Sequence, residues 1–310
     1  MTLSISPTSL HMSRRQYRVV ALVALLPVAW LPSCRSRNAG LGSQVDGALD
    51  AAIRFIIIQQ SSDGSWRSPT YGVFKDGLSL TPIVLKAVVF GPDVAGSASA
   101  RRRGADYLVA RVRADASIDD GPIGMIYPVY TASAAVIALT HLSSPGSRAP
   151  RDAWLHELRR RQLTEALGWQ PDDPAFGGWG YSIEPASKGK AVVAAAQQVD
   201  SDLSSTLFAI GALRIAGMAA DDPAIRKALI FIERCQNAAV SDQDGDPRYD
   251  DGGFFFSRTD PVRNKAGLAG TDRHGRLRYH SYGSATADGL RALLRCGLSA
   301  DHPRVSAARV

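Results

Sequence analysis

The sequence is short of cysteine, of aromatic residues and of long apolar runs. Only three cysteines occur in 310 residues. They are too far apart for any Cys-x-x-Cys pair, which excludes a cysteine zinc cluster and a dense disulfide framework. We expect Cys235 and Cys296 to be buried free thiols.

Aromatic residues are scarce beside the basic residues. The formal net charge is +7, and only 7% of the residues are aromatic. Two arginine triplets, 101–103 and 159–161, have no aromatic residues interleaved with them, as a nucleic-acid surface would require. We therefore expect solvated helix faces and no nucleic-acid partner.

The N-terminal residues predict export. A basic stretch at 13–18 precedes an apolar run of twelve residues at 19–30. This run has the length of a signal-peptide core and is short of the roughly 20 residues that a membrane-spanning helix needs. An uncleaved anchor helix is the alternative interpretation.

Residues 31–34, Leu-Pro-Ser-Cys, resemble a bacterial lipobox. The resemblance implies that Cys34 is lipidated and that the protein resides in the cell envelope or periplasm. The preceding Arg14-Arg15 pair also resembles a twin-arginine signal. Residues 1–34 are thus expected to be a signal peptide with its cleavage site.

Small and polar residues at 35–44 predict a flexible tether. The remaining residues, 45–310, are expected to form one domain with enough chain for a sizeable core.

Two helical patterns broadly alternate along this domain. In the first, a small residue is followed three and four positions later by an aromatic and an aliphatic residue, which places all three on one helical stripe. These small residues are Ala52, Gly104 and Ala228. The second pattern is more apolar and rich in alanine, which suits helices buried on most sides. It begins at Thr81, Ala132, Thr206 and Thr286.

Glycine-rich loops with aromatic residues connect these helices at 59–66, 174–181 and 250–256. Glycine permits the positive φ angles of tight turns. The aromatic ring can then cover a helix end while a glutamine reaches unpaired backbone groups.

The loop Gln59-x4-Gly64-x-Trp66 resembles the QW motif of the squalene and oxidosqualene cyclases, whose relatives include the β subunits of protein prenyltransferases. The resemblance implies an all-α fold, an α/α toroid of αα repeats in which inner helices surround a cavity. The QW-like positions are Gln59, Gly64, Trp66, Gly178, Trp179, Gly253 and Phe254. Residues 301–310 match only the start of an outer helix at 222–230, so we expect the last repeat to be incomplete.

The resemblance also points to candidate acids. Class II cyclases use an Asp-x-Asp-Asp motif whose central acid protonates the substrate. Asp200 and Asp202 match two of its three acids, and Leu203 stands in place of the third. The alternative interpretation is that Asp202 is the N-cap of the following helix.

His280 lies where prenyltransferase β subunits place a zinc ligand. Those enzymes also use an Asp-x-Cys pair, and the acidic loop at 250–253 has no cysteine. We therefore expect His280 to be solvent-facing or a cap, with no metal and no other cofactor.

Several aromatic residues are candidates for lining an apolar cavity. They are Trp66, Trp179, Phe176, Tyr181 and 254–256. For Trp66 and Trp179 a structural role between repeats is the favoured interpretation. Aromatic residues near the starts of inner helices are better placed for a cavity, and we choose Tyr127, Tyr130, Phe208 and Tyr282.

The incomplete acid and zinc motifs favour an exported protein that binds a hydrophobic, isoprenoid-like molecule or an envelope protein. The alternative is a class II-type terpenoid cyclase with Asp202 as proton donor. A glycosidase would need two carboxylates across a cleft, for which 172–173 and 250–251 are the available acids.

Overall fold

The structure is a computed structural model that describes residues 34–121, 124–142, 146–189, 201–238 and 246–309. Residues 1–33 of the expected signal peptide and the candidate acid Asp200 lie outside these ranges. A compact unit begins at residue 49 and extends to residue 310.

The described residues are mostly helical with a few short strands, which confirms the all-α class. The helices are α1 (Cys34–Ile58), α2 (Thr81–Phe90), α3 (Ser97–Ala110), α4 (Pro128–His141), α5 (Arg148–Arg159), α6 (Leu203–Ile215), α7 (Pro223–Arg234), α8 (Gly283–Arg295) and α9 (Pro303–Ala307). The strands are β1 (Trp179–Gly180), β2 (Ser201–Asp202), β3 (Leu268–Thr271) and β4 (Leu277–Tyr279). Short 3-10 helices cover Gly72–Phe74, Glu165–Leu167 and Pro247–Tyr249.

Helix α1 includes the stretch 35–44, where the composition predicts a flexible tether. The next proline after Pro32 is Pro69, so nothing in this stretch breaks a helix outright. Its glycines each disfavour helix by about 1 kcal/mol, while its alanine, leucine, arginine and glutamine favour it.

The even-numbered helices α2, α4, α6 and α8 contact one another in that order. Each also packs against the odd-numbered helix that follows it. The alanine-rich pattern explains the burial, because small residues let helices approach on several sides. In α4, all residues from Thr131 to Leu139 are buried.

One set of hydrogen bonds, which we call the glutamine clamp, recurs at three junctions between odd-numbered helices. In each, a glutamine just after one odd helix donates through Nε2 to a loop glycine carbonyl and to a carbonyl of the next such helix. The clamps are Gln60 to Gly64 and Ala100, Gln162 to Gly177 and Ala224, and Gln236 to Gly252 and Arg304, with distances of 2.8–3.0 Å.

The loop glycine of each clamp has no room for a side chain. Gly64 has φ +86°, and a Cβ there would overlap the carbonyl of Arg103, three residues beyond the clamped Ala100. The glycines of the other two clamps also have positive φ, and each would meet the carbonyl at the same relative position of the next helix. Close backbone approach therefore accompanies each clamp.

The aromatic residue two positions after each loop glycine is buried and held by its backbone. The backbone N–H of Trp66 donates to Thr81 Oγ1, and that of Trp179 donates to Thr206 Oγ1. Trp66 Nε1 donates to Ile56 O, and Trp179 Nε1 to Leu158 O. Both tryptophans thus link the end of an odd-numbered helix to the start of an even-numbered one.

The junction between α3 and α5 lacks a clamp. Gln60 lies eight residues after Ala52, but the equivalent position, eight residues after Gly104, is Val112. Here an aromatic ring comes from the helix instead. Trp154 of α5 is fully buried and donates through Nε1 to Leu108 O at 3.2 Å.

The structure corrects the register of the first motif. Gln60 makes the clamp, whereas Gln59, chosen from the sequence, is exposed. Gln60 follows the last helical residue of α1 by two positions, so its side chain reaches α3. Gly178 and Gly253 follow the clamp glycines by one position, and a Cβ at either would overlap the side chain of Ser201 or Ser281, respectively.

We expect Gln60→Ala to lower the free energy of unfolding by about 1–3 kcal/mol, because it removes two hydrogen bonds and leaves part-buried carbonyls without this donor. The matched control, Gln59→Ala, changes an exposed neighbour and should stay within about 0.5 kcal/mol of the wild type. Urea unfolding followed by tryptophan fluorescence measures both. Equal effects of the two substitutions would contradict the corrected register.

Candidate functional site

An aromatic cluster lies between the start of α4 and α6. Tyr130, in the first turn of α4, stacks on Tyr181 at 5.7 Å between ring centroids and meets Phe208 of α6 at 4.8 Å. The Tyr130 hydroxyl lies 3.2 Å from that of Tyr181 and donates to Ser204 Oγ at 3.0 Å. Two of the residues chosen from the sequence, Tyr130 and Phe208, are thus in direct contact.

Tyr127 joins the edge of this cluster in a rare backbone conformation. Its φ is +51°, in the left-handed region that few non-glycine residues occupy. It is the N-cap of α4, and its ring lies 6.2 Å from that of Tyr181 and 6.3 Å from that of Phe74. The side chain is 45% exposed, so this edge of the cluster faces solvent.

Next to the cluster is a cavity of about 350 Å³, which we call the aromatic cleft. It opens at the N-terminal ends of α6 and α8, beside Ser204 and Ala285. Its aromatic walls come from Tyr181, Phe256 and Tyr282. Tyr282, chosen from the sequence, therefore lines the same cleft as Tyr181, on which Tyr130 stacks.

Arg263 is the principal charged group in the wall of the aromatic cleft. Its guanidinium lies 5.3 Å from the ring centre of Tyr181 and 5.6 Å from that of Phe256. Its Nε donates to Asp260 at 2.5 Å. Both Nη atoms are buried and have no hydrogen-bond partner among the described residues.

Asp202 is the N-cap of α6, which confirms that interpretation. Its Oδ1 accepts from the Ser205 backbone N–H and its Oδ2 from the Ser205 hydroxyl, both at 2.8 Å. The β1–β2 pair places Asp202 opposite Trp179. Local structure therefore buries the carboxyl completely.

Burial raises the pKa of Asp202 to about 7, because a carboxylate without water is costly. The hydrogen bonds from Ser205 and the charge of Arg263 act in the opposite direction. Arg263 Nη1 lies 3.7 Å from Asp202 Oδ2. At neutral pH this carboxyl can therefore hold or release a proton next to the cationic wall of the cleft.

The cleft wall itself contains a different acid, Asp288 of α8. Burial also raises the pKa of Asp288, opposed by Arg291 and Arg295. The residues that line the cleft include Leu203 and Ser204 but not Asp202. The cap carboxyl thus lies behind the wall.

Sequence reasoning missed Arg263 and Asp288. Asp288 is the only acidic residue in α8, a helix of otherwise small, aliphatic and basic residues, and that was a usable signal. Nothing in the pattern around Arg263 distinguishes it from the other arginines. Of the wider set of candidate aromatic residues, Tyr181 and Phe256 reach the cleft, while Phe176, Phe254 and Phe255 are buried in the core.

The other chemical candidates lie elsewhere. His280 is exposed at the end of β4, as expected for a solvent-facing histidine. Among the described residues, no group of three or more His, Cys, Asp or Glu side chains is placed to hold a metal ion. Asp172 lines one cleft and Asp250 another, so these acids do not face each other across a single cleft.

Cys235 and Cys296 are buried free thiols, as the sequence predicts. Cys34 begins α1. Among the described helices, none combines the length and the hydrophobicity needed to span a bilayer.

No family model matches the chain, and no curated protein is similar to it.

The raised pKa of Asp202 predicts a distinctive pH dependence of stability. Between about pH 4 and pH 7 the native carboxyl holds a proton that the unfolded one releases. Its contribution to stability is therefore largest below about pH 4, falls by up to about 1.4 kcal/mol per pH unit between pH 4 and 7, and levels off above 7.

Asp202→Asn keeps a good N-cap but cannot ionise, so it should lack this dependence. The unfolding free energies of wild type and variant are measured with urea from pH 4.5 to 8. The value for the wild type, relative to that for the variant, should fall as the pH rises. Asp106→Asn, at an exposed position of α3, serves as the matched control. Parallel curves for wild type and Asp202→Asn would rule out a raised pKa.

Proposed function

We propose that this chain is an exported, terpenoid cyclase/prenyltransferase-like repeat protein that binds a hydrophobic, isoprenoid-like ligand in the aromatic cleft. The observation that carries the proposal is the cleft itself. Tyr181, Phe256 and Tyr282 form its apolar walls, and Arg263 adds positive charge to the same wall.

The order of helix contacts supports an α/α toroid-like arrangement of repeats. Successive even-numbered helices contact one another, and the odd-numbered helices follow them as packing partners. The glutamine clamp recurs three times with the same relative positions, although the loops between glutamine and glycine range from three to fifteen residues. Recurring contacts across loops of such different length favour a repeat unit over chance.

The chemistry of the cleft supports an amphipathic ligand. A volume of about 350 Å³ is within the range of small-molecule sites, about 300–1,000 Å³. Aromatic faces suit an unsaturated hydrocarbon chain, while Arg263 and Lys265 suit a hydroxyl or anionic head. An isoprenoid alcohol or its phosphate has both parts.

Export is part of the same proposal. The basic stretch, the apolar run and the lipobox-like residues before Cys34 support an envelope location with a lipid anchor. An envelope protein that docks on the helical scaffold is the other partner class that this location allows. Mass spectrometry of organic extracts from the purified full-length protein distinguishes a bound lipid from a bare scaffold.

A direct binding test uses farnesol as the probe and intrinsic fluorescence or calorimetry as the readout. We expect saturable binding that weakens about tenfold or more in Phe256→Ala and in Tyr282→Ala, because each removes an aromatic wall. Tyr71→Ala, at an exposed position outside the cleft, should bind like the wild type. Absence of binding, or equal affinities in all four proteins, would overturn the proposal.

The second candidate is a class II-type terpenoid cyclase with Asp202 as the proton donor. One observation favours it, since a pKa of about 7 allows the carboxyl to be protonated at neutral pH. Incubation with squalene and with farnesyl diphosphate should then give a cyclised product. Asp202→Asn should abolish that product while the protein stays folded, because asparagine still caps α6. Equal product from the variant, or none from the wild type, would eliminate this candidate.

A further inference from the structure

A second cleft is lined by Arg258, two residues after the Phe256 that lines the aromatic cleft. We call it the arginine cleft, and its volume is about 390 Å³. It is formed at the C-terminal end of α7, β4 and the start of α9. Five arginines line it, namely Arg234, Arg258, Arg276, Arg278 and Arg304, against two carboxylates.

Nearby carboxylates contact three of the five arginines. Glu233 lies 3.1 Å from Arg304, and Asp272 behind the wall lies 2.9 Å from Arg276. Arg278 is 3.8 Å from that same Asp272 carboxylate, so two arginines share one acid. Arginines thus outnumber carboxylates by five to two among the residues that line the cleft.

Arg258 is the least compensated of the five. It forms no salt bridge with any carboxylate of the described residues, and its Nε is buried without a hydrogen-bond partner there. Within the described ranges it donates one long hydrogen bond, 3.5 Å from Nη1 to Arg234 O. The ring of Phe255 lies under the guanidinium, 5.7 Å from it.

The surroundings of Arg258 disfavour its charge. Burial lowers the pKa of the guanidinium, and the like charges of Arg278 and Arg276 lower it further. An anion placed between these side chains would relieve that repulsion.

We propose that the arginine cleft binds a phosphate-type oxyanion, either free phosphate or the phosphate of a larger molecule. Guanidinium groups donate in a planar fork that matches the oxygens of phosphate, and several of them converge here on one space. The arginine cleft and the aromatic cleft share no lining residue, so the two sites are separate. Phosphate binding by a protein that binds no farnesol would keep this proposal and remove the other.

The test is calorimetric titration of the full chain with inorganic phosphate and with glycerol 3-phosphate, at constant ionic strength set with sodium chloride. We expect saturable binding of one or both probes. Tighter binding of the ester identifies an organic phosphate as the ligand, and tighter binding of inorganic phosphate identifies the free anion. Arg258→Gln should weaken binding about 10- to 100-fold, the effect of losing charge-assisted hydrogen bonds.

Arg54→Gln is the matched control, because it removes the same charge from an exposed position of α1. It should bind like the wild type. Arg258→Lys keeps the charge without the planar fork and should bind with intermediate affinity, which also gives a readout if Arg258→Gln does not fold. No saturable binding by the wild type, or undiminished binding by the folded Arg258 variants, would overturn the proposal.

Discussion

The glutamine clamp is the interaction on which the rest of the structure depends. Each glutamine amide links the end of one odd-numbered helix to the next odd-numbered helix by donating to a backbone carbonyl of that next helix. The loop glycine and the buried aromatic residue are consequences of that link, because the backbones must approach closely for the amide to reach both acceptors. Even-numbered helices are thereby held side by side, with their N-terminal ends available to form a site.

The two candidate sites share one structural element, the segment 254–258 that follows the third clamp. Phe254 is buried like the tryptophans at the equivalent position, and Phe256 and Arg258 then enter different clefts. Phe256 O also accepts from Leu203 N, next to the Asp202 cap. A single extended stretch therefore connects the aromatic cleft, the buried carboxyl and the arginine cleft.

Much of the fold could be predicted from the sequence because it depends on local patterns. The stripe around Gly104 and the alanine-rich stretch after Thr206 each form the expected helix. The register of the first clamp could not be chosen, because Gln59 and Gln60 are adjacent and only the distance to Ala100 decides between them. In α5, Trp154 occupies the position where the first helical pattern requires a small residue, so the pattern did not predict this helix. Arg263 and Asp288 meet only through the tertiary fold.

The junction of α3 and α5 differs from the others in what holds it. An indole from Trp154 replaces the bidentate amide, so this seam has one directional bond where its counterparts have two. In a protein whose repeat units contact only their neighbours, local unfolding spreads from unit to unit until it reaches the interface with the weakest coupling. We therefore expect the seam at Leu108 to separate an N-terminal from a C-terminal cooperative block, with both clefts in the C-terminal one.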